Sequence, residues 1–159
     1  MDKAALLHAL IAQLEASLAL QTAAAHTSHE EATNEESRAE DKYDMRSQSA
    51  AYLAAGQSQL AIELAGAIAA YRQLSPRSLA PGDAVHVGAI VTLESQGKVT
   101  VCFLGPLQGG LEVVVQGVAV TVITTFSPVG RQLVGRRAGD RVFLPGRLRP
   151  AEHQIIAVG

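Results

Sequence analysis

The sequence predicts an α+β fold, with a helical hairpin in the first half and an antiparallel β domain with one short helix in the second. Residues 2–75 contain no proline and only two glycines, so little in this stretch interrupts long helices. Residues 84–159 instead carry short runs rich in Val, Ile and Thr, separated by turn residues, which is typical of strands. We therefore expect a hairpin over residues 1–75, a linker over 76–83 and a β domain over 84–159.

Two stripes of apolar side chains predict that the hairpin is an antiparallel coiled coil. The first stripe recurs in steps of three and four, apart from a skipped place at Gln21. This is heptad spacing, which puts the side chains on one helix face. The first stripe is Leu7, Ile11, Leu14, Leu18 and Ala25, and the second is Leu53, Leu60, Leu64, Ala67, Tyr71 and Leu74. An arm of about 30 residues would reach roughly 45 Å.

The segment between the stripes is strongly acidic. Residues 30–44 hold seven acids and two bases. Within them, residues 33–36 combine N-cap residue types with two acids, which is typical of a helix start, so we place the hairpin turn near residues 30–35. Such acids commonly serve only capping and solubility. At the end of a hairpin, however, their mutual repulsion would be relieved by a hard cation such as Mg²⁺.

The second half begins with a linker that contains Pro76, Pro81 and Gly82. A short helix is expected after Ser127, which is a good N-cap, with Pro128 at the first helical position and Gly135 as the left-handed residue that ends it. The architecture is therefore an antiparallel sheet with a helix packed on it. The strand-like runs cover residues 84–93, 99–104, 111–115, 118–125, 141–144 and 154–158.

Composition and charge limit the function classes. There is no uninterrupted run of about 18 apolar residues and no secretory signal pattern, so we expect a cytoplasmic protein without a membrane span. The single cysteine, Cys102, lies in a strand-like run and is expected to be a buried, inert thiol. Residues 1–75 carry ten acids against five bases, giving −5, and residues 76–159 carry five against eight, giving +3. This asymmetry suggests two parts with different partners.

Residues 127–142 closely resemble the C-terminal signature of bacterial Gre transcription factors. They read Ser-Pro-Val-Gly-Arg-Gln-Leu-Val-Gly-Arg-Arg-Ala-Gly-Asp-Arg-Val. In that family, Ser-Pro-x-(Gly/Ala)-Arg-x-Leu-x-Gly leads into a Gly-Asp-x-Val turn and strand. Residues 87–93, 103–106 and 153–158 resemble the family's opening strand, its Ile-Val-Gly segment and its last strand. The resemblance covers the chain in length and order, and it implies a coiled-coil hairpin followed by an FKBP-like β domain.

The resemblance also implies a function. The β domain of a Gre factor sits on the rim of the RNA polymerase secondary channel, and its hairpin enters that channel toward the active site. The chain is then a transcription elongation factor that stimulates cleavage of backtracked RNA, not an enzyme by itself. Its partners are RNA polymerase and the 3′ end of the transcript in the elongation complex, and we expect a monomer. Its cofactor is a Mg²⁺ shared with the polymerase active site and not bound stably by the chain alone.

Candidate site residues follow from this interpretation. The tip carboxylates that would assist the polymerase are Glu35, Glu36, Glu40 and Asp41, and we expect Glu36 and Glu40 to be the metal ligands. The residues expected to contact RNA phosphates are Arg38, Lys42 and Arg46. These side chains could equally form ion pairs with acids along a helix. Docking is assigned to Ser127, Pro128 and Arg131, and a basic patch could form from Arg131, Arg136, Arg137 and Arg141.

Two rival functions stay open. The tip motif of the family is Asp-Leu-(Ser/Lys)-Glu-Asn shortly before a tyrosine, and no register against Tyr43 restores both of its acids here. A relative that binds polymerase in the channel without stimulating cleavage is therefore the alternative. A third reading, an FKBP-type prolyl isomerase or chaperone, needs an aromatic pocket. Residues 76–159 offer only three aromatic residues for one, and all three are more simply core residues: Phe103, Phe126 and Phe143.

Overall fold

The fold consists of two long helices followed by a six-stranded sheet and one short helix. The computed structural model describes residues 1–33, 45–77, 79–80, 82–145 and 149–159. The helices are α1 (Lys3–Thr33), α2 (Met45–Arg72) and α3 (Pro128–Leu133). The strands are β1 (Ile90–Ser95), β2 (Lys98–Gly105), β3 (Glu112–Val115), β4 (Val118–Thr124), β5 (Arg141–Leu144) and β6 (Ala151–Val158). The expected helix pair followed by a β domain with one short helix is confirmed.

Chain contacts divide the protein into two compact units. The body unit comprises Met1–Ile11 and Ala70–Gly159, and the helical unit comprises Ala12–Ala69. The start of α1 and the end of α2 therefore belong to the same unit as the sheet. The domain boundaries expected from the sequence at residues 75 and 84 stay a prediction.

The buried stripe of α2 differs from the predicted one. Leu53 and Leu60 are 56% and 47% exposed, so their assignment to the stripe is wrong. The predicted Leu64, Ala67, Tyr71 and Leu74 are buried or half-buried. The positions that alternate in steps of three and four are Ala54, Gln57, Ala61, Leu64, Ile68 and Tyr71. Within the helical unit, Ala54 and Ala61 occupy inward positions, and the bulkier Leu53 and Leu60 each lie one position before them. The first stripe is closer to prediction, with Leu7 and Leu14 buried.

The strand order of the sheet is β3-β4-β2-β1-β6-β5. Strands β2 and β4 pair in parallel, whereas the other four neighbouring pairs are antiparallel. The sheet is therefore mixed, and the expectation of a wholly antiparallel sheet is wrong. The parallel pair arises because β3 does not pair with β2, the strand that precedes it in the chain. After β2, the chain runs back as β3 one strand position farther out and then returns as β4 in the gap, parallel to β2.

One face of the sheet carries the apolar core that α3 covers. Cys102 lies on this face, 3% exposed, and burial raises the pKa of its thiol to about 12. Because the thiolate is the reactive form, the expectation of a buried and unreactive cysteine is supported. The buried members of this cluster are Val85, Ala89, Val91, Leu93, Cys102, Leu104, Leu133, Val142, Leu144 and Ile155.

Tyr71, at the end of α2, packs on the opposite face of the sheet. Its ring stacks on Phe103 with centroids 6.3 Å apart, and both residues are fully buried. Its hydroxyl donates a hydrogen bond to the Leu107 carbonyl at 2.9 Å, and burial raises the pKa of this hydroxyl so that it stays a donor. A Cβ on Gly105 would come within 2.5 Å of the Tyr71 oxygen, so only glycine leaves room for the ring.

The start of α1 is also fixed within the body unit. Lys3 is 4% exposed, and its Nζ donates to the Arg77 carbonyl at 2.9 Å. Burial lowers the pKa of this amine. The segment Lys3–Thr27 is long and apolar enough to cross a membrane by length and composition alone, with a mean hydropathy of 1.3. Leu6 and Leu10, however, are fully buried in the protein, so the fold accounts for apolar character in this part of the helix.

Replacing Tyr71 by Phe should keep the stack on Phe103 and remove the hydrogen bond to Leu107. Because a carbonyl loses its partner, we expect the free energy of unfolding to fall by about 1 kcal/mol in urea denaturation. Tyr52→Phe is the matched control, since Tyr52 is 75% exposed on α2 and should tolerate the change. A Tyr71→Phe protein as stable as the wild type would contradict this role.

Candidate docking site

Helix α3 begins with a complete N-cap. Ser127 is extended, with φ −67° and ψ 155°, and its Oγ accepts a hydrogen bond from the Gly130 N–H at 3.0 Å. The same hydroxyl donates to the Thr124 carbonyl at 2.8 Å. Pro128 occupies the start of the helix, where its missing N–H costs nothing. The predicted roles of Ser127 as cap and of Pro128 as the first helical residue are confirmed.

The first turn of α3 rests directly on the end of β4. A Cβ at Gly130 would lie 1.9 Å from the Thr124 carbonyl oxygen and 3.1 Å from the Cα of Thr125. Only glycine permits so close an approach of two backbones. Three residues further on, Leu133 is fully buried in the core cluster. One side of the short helix is thus fixed to the sheet.

The end of α3 is fixed through backbone hydrogen bonds. Gly135 has φ +78°, as predicted for the residue that ends the helix, and its N–H donates to the Val85 carbonyl at 2.8 Å. The carbonyl of Arg136 accepts in return from the Val85 N–H at 2.7 Å. Asp140 then closes the next turn, because its carboxylate accepts from the Arg137 N–H at 2.9 Å. Residues 127–140 therefore form one well-supported surface segment.

The outward side of this segment is apolar and basic. Phe126 is 75% exposed and Val134 is 45% exposed. Pro128 and Arg131 are exposed as well. The segment contains three arginines and one acid, Asp140, which gives it a net charge of +2. Exposed aromatic and arginine side chains are typical of protein interfaces.

The predicted basic patch is only partly available for a partner. The guanidinium of Arg137 donates to the Gly82 carbonyl, and that of Arg141 pairs with Glu152 at 3.2 Å. Both groups are therefore engaged within the protein itself. Arg131 and Arg136 are exposed. Of the four arginines, these two are the better candidates for contacts with another molecule.

The predicted tip residues lie outside the described residues. These are Glu35, Glu36, Arg38, Glu40, Asp41 and Lys42. Arg46 belongs to the first turn of α2. Within the part of the chain that the structure does describe, no three His, Cys, Asp or Glu side chains come together as a metal site. The expected ligands Glu36 and Glu40 therefore stay a prediction.

Two of the three phenylalanines of the β domain are exposed, contrary to expectation. Phe103 is buried, but Phe126 and Phe143 are 75% and 63% exposed. Phe143 is exposed because its neighbours Val142 and Leu144 face the core, and side chains alternate along a strand. A groove of about 510 Å³ lies beside β5 and β6 and is lined by Glu94, Ser95, Gln96, Arg141, Arg149, Pro150, Ala151, Glu152 and Gln154. This polar groove contains no phenylalanine, so it is not the aromatic pocket that a prolyl isomerase needs.

Three solved structures are similar to the chain in fold. The transcription factor Gfh1 is 18% identical, with a TM-score of 0.41 over 94% of this chain and 93% of that chain. The GreA factor homolog 1 (Gfh1) of Thermus thermophilus gives 18% and 0.40, covering 94% of each chain. The elongation factor GreA/GreB from Nitrosomonas europaea gives 20% and 0.39, covering 70% of this chain and 91% of that chain.

These likenesses concern the course of the chain alone. At 18% to 20% identity and TM-scores of 0.39 to 0.41, they say nothing about activity. No family model matches the sequence. No curated protein matches it significantly either.

Ser127→Ala should remove the acceptor for the Gly130 N–H and leave the start of α3 uncapped. We expect the free energy of unfolding to fall by about 1 kcal/mol, measured in urea. The matched control is Ser58→Ala, because the Ser58 hydroxyl donates to the Ala54 carbonyl within α2, where alanine is the better helix former. Equal effects of the two substitutions would show that the cap is unimportant.

Gly130→Ala should destabilise the protein even though the Gre signature that residues 127–142 resemble allows alanine at this place. The new Cβ would collide with the Thr124 carbonyl, and backbone would have to move, so we expect a loss of more than about 2 kcal/mol. Gly66→Ala, in the open space beside α2, should instead raise stability by up to about 1 kcal/mol. Urea unfolding of both proteins makes the comparison, and a neutral Gly130→Ala would contradict the close approach.

Proposed function

We propose that this protein is a transcription elongation factor that binds RNA polymerase at its secondary channel and stimulates cleavage of backtracked RNA. The observation that supports the proposal is the structure that residues 127–142, the Gre-like signature, adopt. Its characteristic residues each have a structural role, since Ser127 caps α3, Gly130 permits the close approach to β4, and Leu133 fills the core. We place the protein in the cytoplasm, where polymerase is found.

The docking contact in this proposal uses the outward side of the segment. Ser127 and Gly130 are engaged in contacts within the fold. We therefore assign the docking contact to the exposed side chains of Pro128 and Arg131, which the cap at Ser127 holds in position. A rigid, capped helix loses little conformational freedom on binding, which favours affinity. The rim of the polymerase channel is the proposed partner surface.

The hairpin tip supplies carboxylates in this mechanism. Glu36 and Glu40 are the proposed Mg²⁺ ligands, with Glu35 and Asp41 beside them, and hard oxygen donors of this kind suit that ion. The bound ion, shared with the polymerase active site, would supply charge neutralisation at the phosphate that is hydrolysed. The carboxylates themselves would orient the attacking water. Arg38, Lys42 and Arg46 would hold RNA phosphates by charge.

A specific observation favours a second candidate function. No register restores both acids of the Gre tip pattern Asp-Leu-(Ser/Lys)-Glu-Asn. A factor with an altered tip can dock and occupy the channel without stimulating cleavage. The second candidate is therefore a regulator of polymerase that uses the same docking segment and lacks the cleavage step.

Replacing Glu35, Glu36, Glu40 and Asp41 together by Ala tests the mechanism. We expect the variant to bind core polymerase as the wild type does, because the docking segment is unchanged. Release of short RNA from stalled elongation complexes should fall about a hundredfold, the usual scale for loss of transition-state charge stabilisation. Glu63→Ala, which removes an exposed acid from α2, is the control and should cleave normally.

Each outcome separates the candidates. Wild-type protein that binds polymerase and releases no RNA supports the regulator without cleavage. Cleavage that persists in the fourfold variant contradicts the role of these carboxylates. A wild-type protein that does not co-purify with core polymerase overturns both candidates.

A further inference from the structure

Two leucines of α2 are left uncovered within the helical unit. Leu53 and Leu60 are 56% and 47% exposed. They are seven residues apart, so they lie on the same side of the helix. Each directly precedes an inward position, Ala54 or Ala61. We call Leu53 and Leu60 the leucine flank of α2.

The heptad register of α2 places the leucine flank where a two-helix coiled coil normally carries charge. If Ala54 and Ala61 occupy position a, then Leu53 and Leu60 occupy position g, and so does Ala67. Position g usually holds Glu or Lys in a pair of helices, whereas a helix with more than one neighbour has a wider apolar stripe that includes e or g. Ala67 is fully buried, but the two leucines are not. The stripe of α2 therefore suits a second helical neighbour, while the described part of the helical unit provides α1 alone.

Charge is almost absent from this part of the two helices. Counting Asp, Glu, Lys and Arg, residues 12–29 contain only Glu15, and residues 47–69 contain only Glu63. Soluble domains average about 25% charged residues. A partner that recognises its target through opposite charges would find few of them here. A second copy of the chain presents the same uncharged helix, so the two surfaces would meet with little repulsion between like charges.

The charges that border the leucine flank in the sequence indicate a direction for the pairing. Arg46 precedes the flank and Glu63 follows it. An antiparallel pair of α2 helices brings the basic end of one helix beside the acidic end of the other, whereas a parallel pair brings like charges together. The antiparallel pair also places Leu53 against the partner subunit's Leu60 and the reverse, as two-fold symmetry requires.

We propose that a second copy of this chain covers the leucine flank, with the two α2 helices packed antiparallel about a two-fold axis near Gly56. A Cβ at Gly56 would meet nothing within 4 Å, and the missing side chain lets another helix approach closely. The inference concerns association of the chain with itself and does not depend on the proposed function. It replaces the monomer expected from the sequence with a dimer.

Sedimentation of the full-length protein over roughly 1 to 100 µM, a range in which weak protein contacts dissociate, tests the proposal. We expect the wild type to change reversibly from monomer to dimer as its concentration rises. Leu60→Glu should weaken the dimer more than about tenfold, because a carboxylate would be buried against a leucine. The matched control is Ile62→Glu, since Ile62 is 66% exposed on the opposite side of α2. As a surface substitution outside the contact, it should change the dissociation constant less than about twofold.

Cross-linking with a short bis-maleimide tests the position of the axis. Gly56→Cys should form covalent dimers, because a residue beside a two-fold axis lies close to its own copy. Ile62→Cys is the control and should give few of them. The native Cys102 is 3% exposed and should not react in either variant. Equal thermal unfolding of all variants verifies that the fold is intact.

The outcomes separate this inference from the proposed function. Wild-type protein that stays monomeric over the whole concentration range overturns the dimer. Equal weakening by Leu60→Glu and Ile62→Glu overturns the leucine flank as the contact. A monomeric protein that binds RNA polymerase, and loses that binding on Leu60→Glu, assigns the flank to polymerase instead and leaves the proposed function standing.

Discussion

The contact of two backbones at Gly130 is the constraint on which the structure of residues 127–140 depends. The first turn of α3 lies directly on the Thr124 carbonyl, which limits how the helix can sit on the sheet. Ser127 is then close enough to bond both Thr124 and Gly130, and Leu133 reaches the core. A six-residue helix would be unstable by itself, since helix nucleation is costly. Here, packing on the sheet stabilises the first turn of α3, and the exposed side chains are held in place as a result.

Features set by local chemistry could be predicted from the sequence. Cap, proline and glycine signals placed α3 correctly, because such residues act on backbone atoms only a few positions away. Six strands were also found, since alternation and turn residues define them locally, but the run predicted over 84–93 becomes a strand only at Ile90. The parallel pairing of β2 with β4 was missed because turn signals mark where a strand ends but not which strand it will lie beside. The assignment of Ser127, Pro128 and Arg131 to docking came from the resemblance to Gre factors and stays a prediction.

Burial was harder to predict than secondary structure. Hydrophobicity assigned Leu53 and Leu60 to the interior of the helix pair, whereas the inward positions are held by the smaller Ala54 and Ala61. The same reasoning placed Phe126 in the core, although it is exposed. In each case, the size of a side chain was taken as a sign of burial, while the backbone geometry decides which position faces inward. The tip carboxylates are not described by the structure, so their assignment depends on the sequence alone.

The strand order has a consequence for self-association. Strands β3 and β5 form the two edges of the sheet, and each is only four residues long. Each also begins with a charged side chain, Glu112 in β3 and Arg141 in β5. Short, charged edges offer few backbone groups for pairing with another sheet and are a known protection against aggregation. The exposed Val114 and Phe143 thus lie on edges that a second copy of the chain cannot easily extend into a fibril.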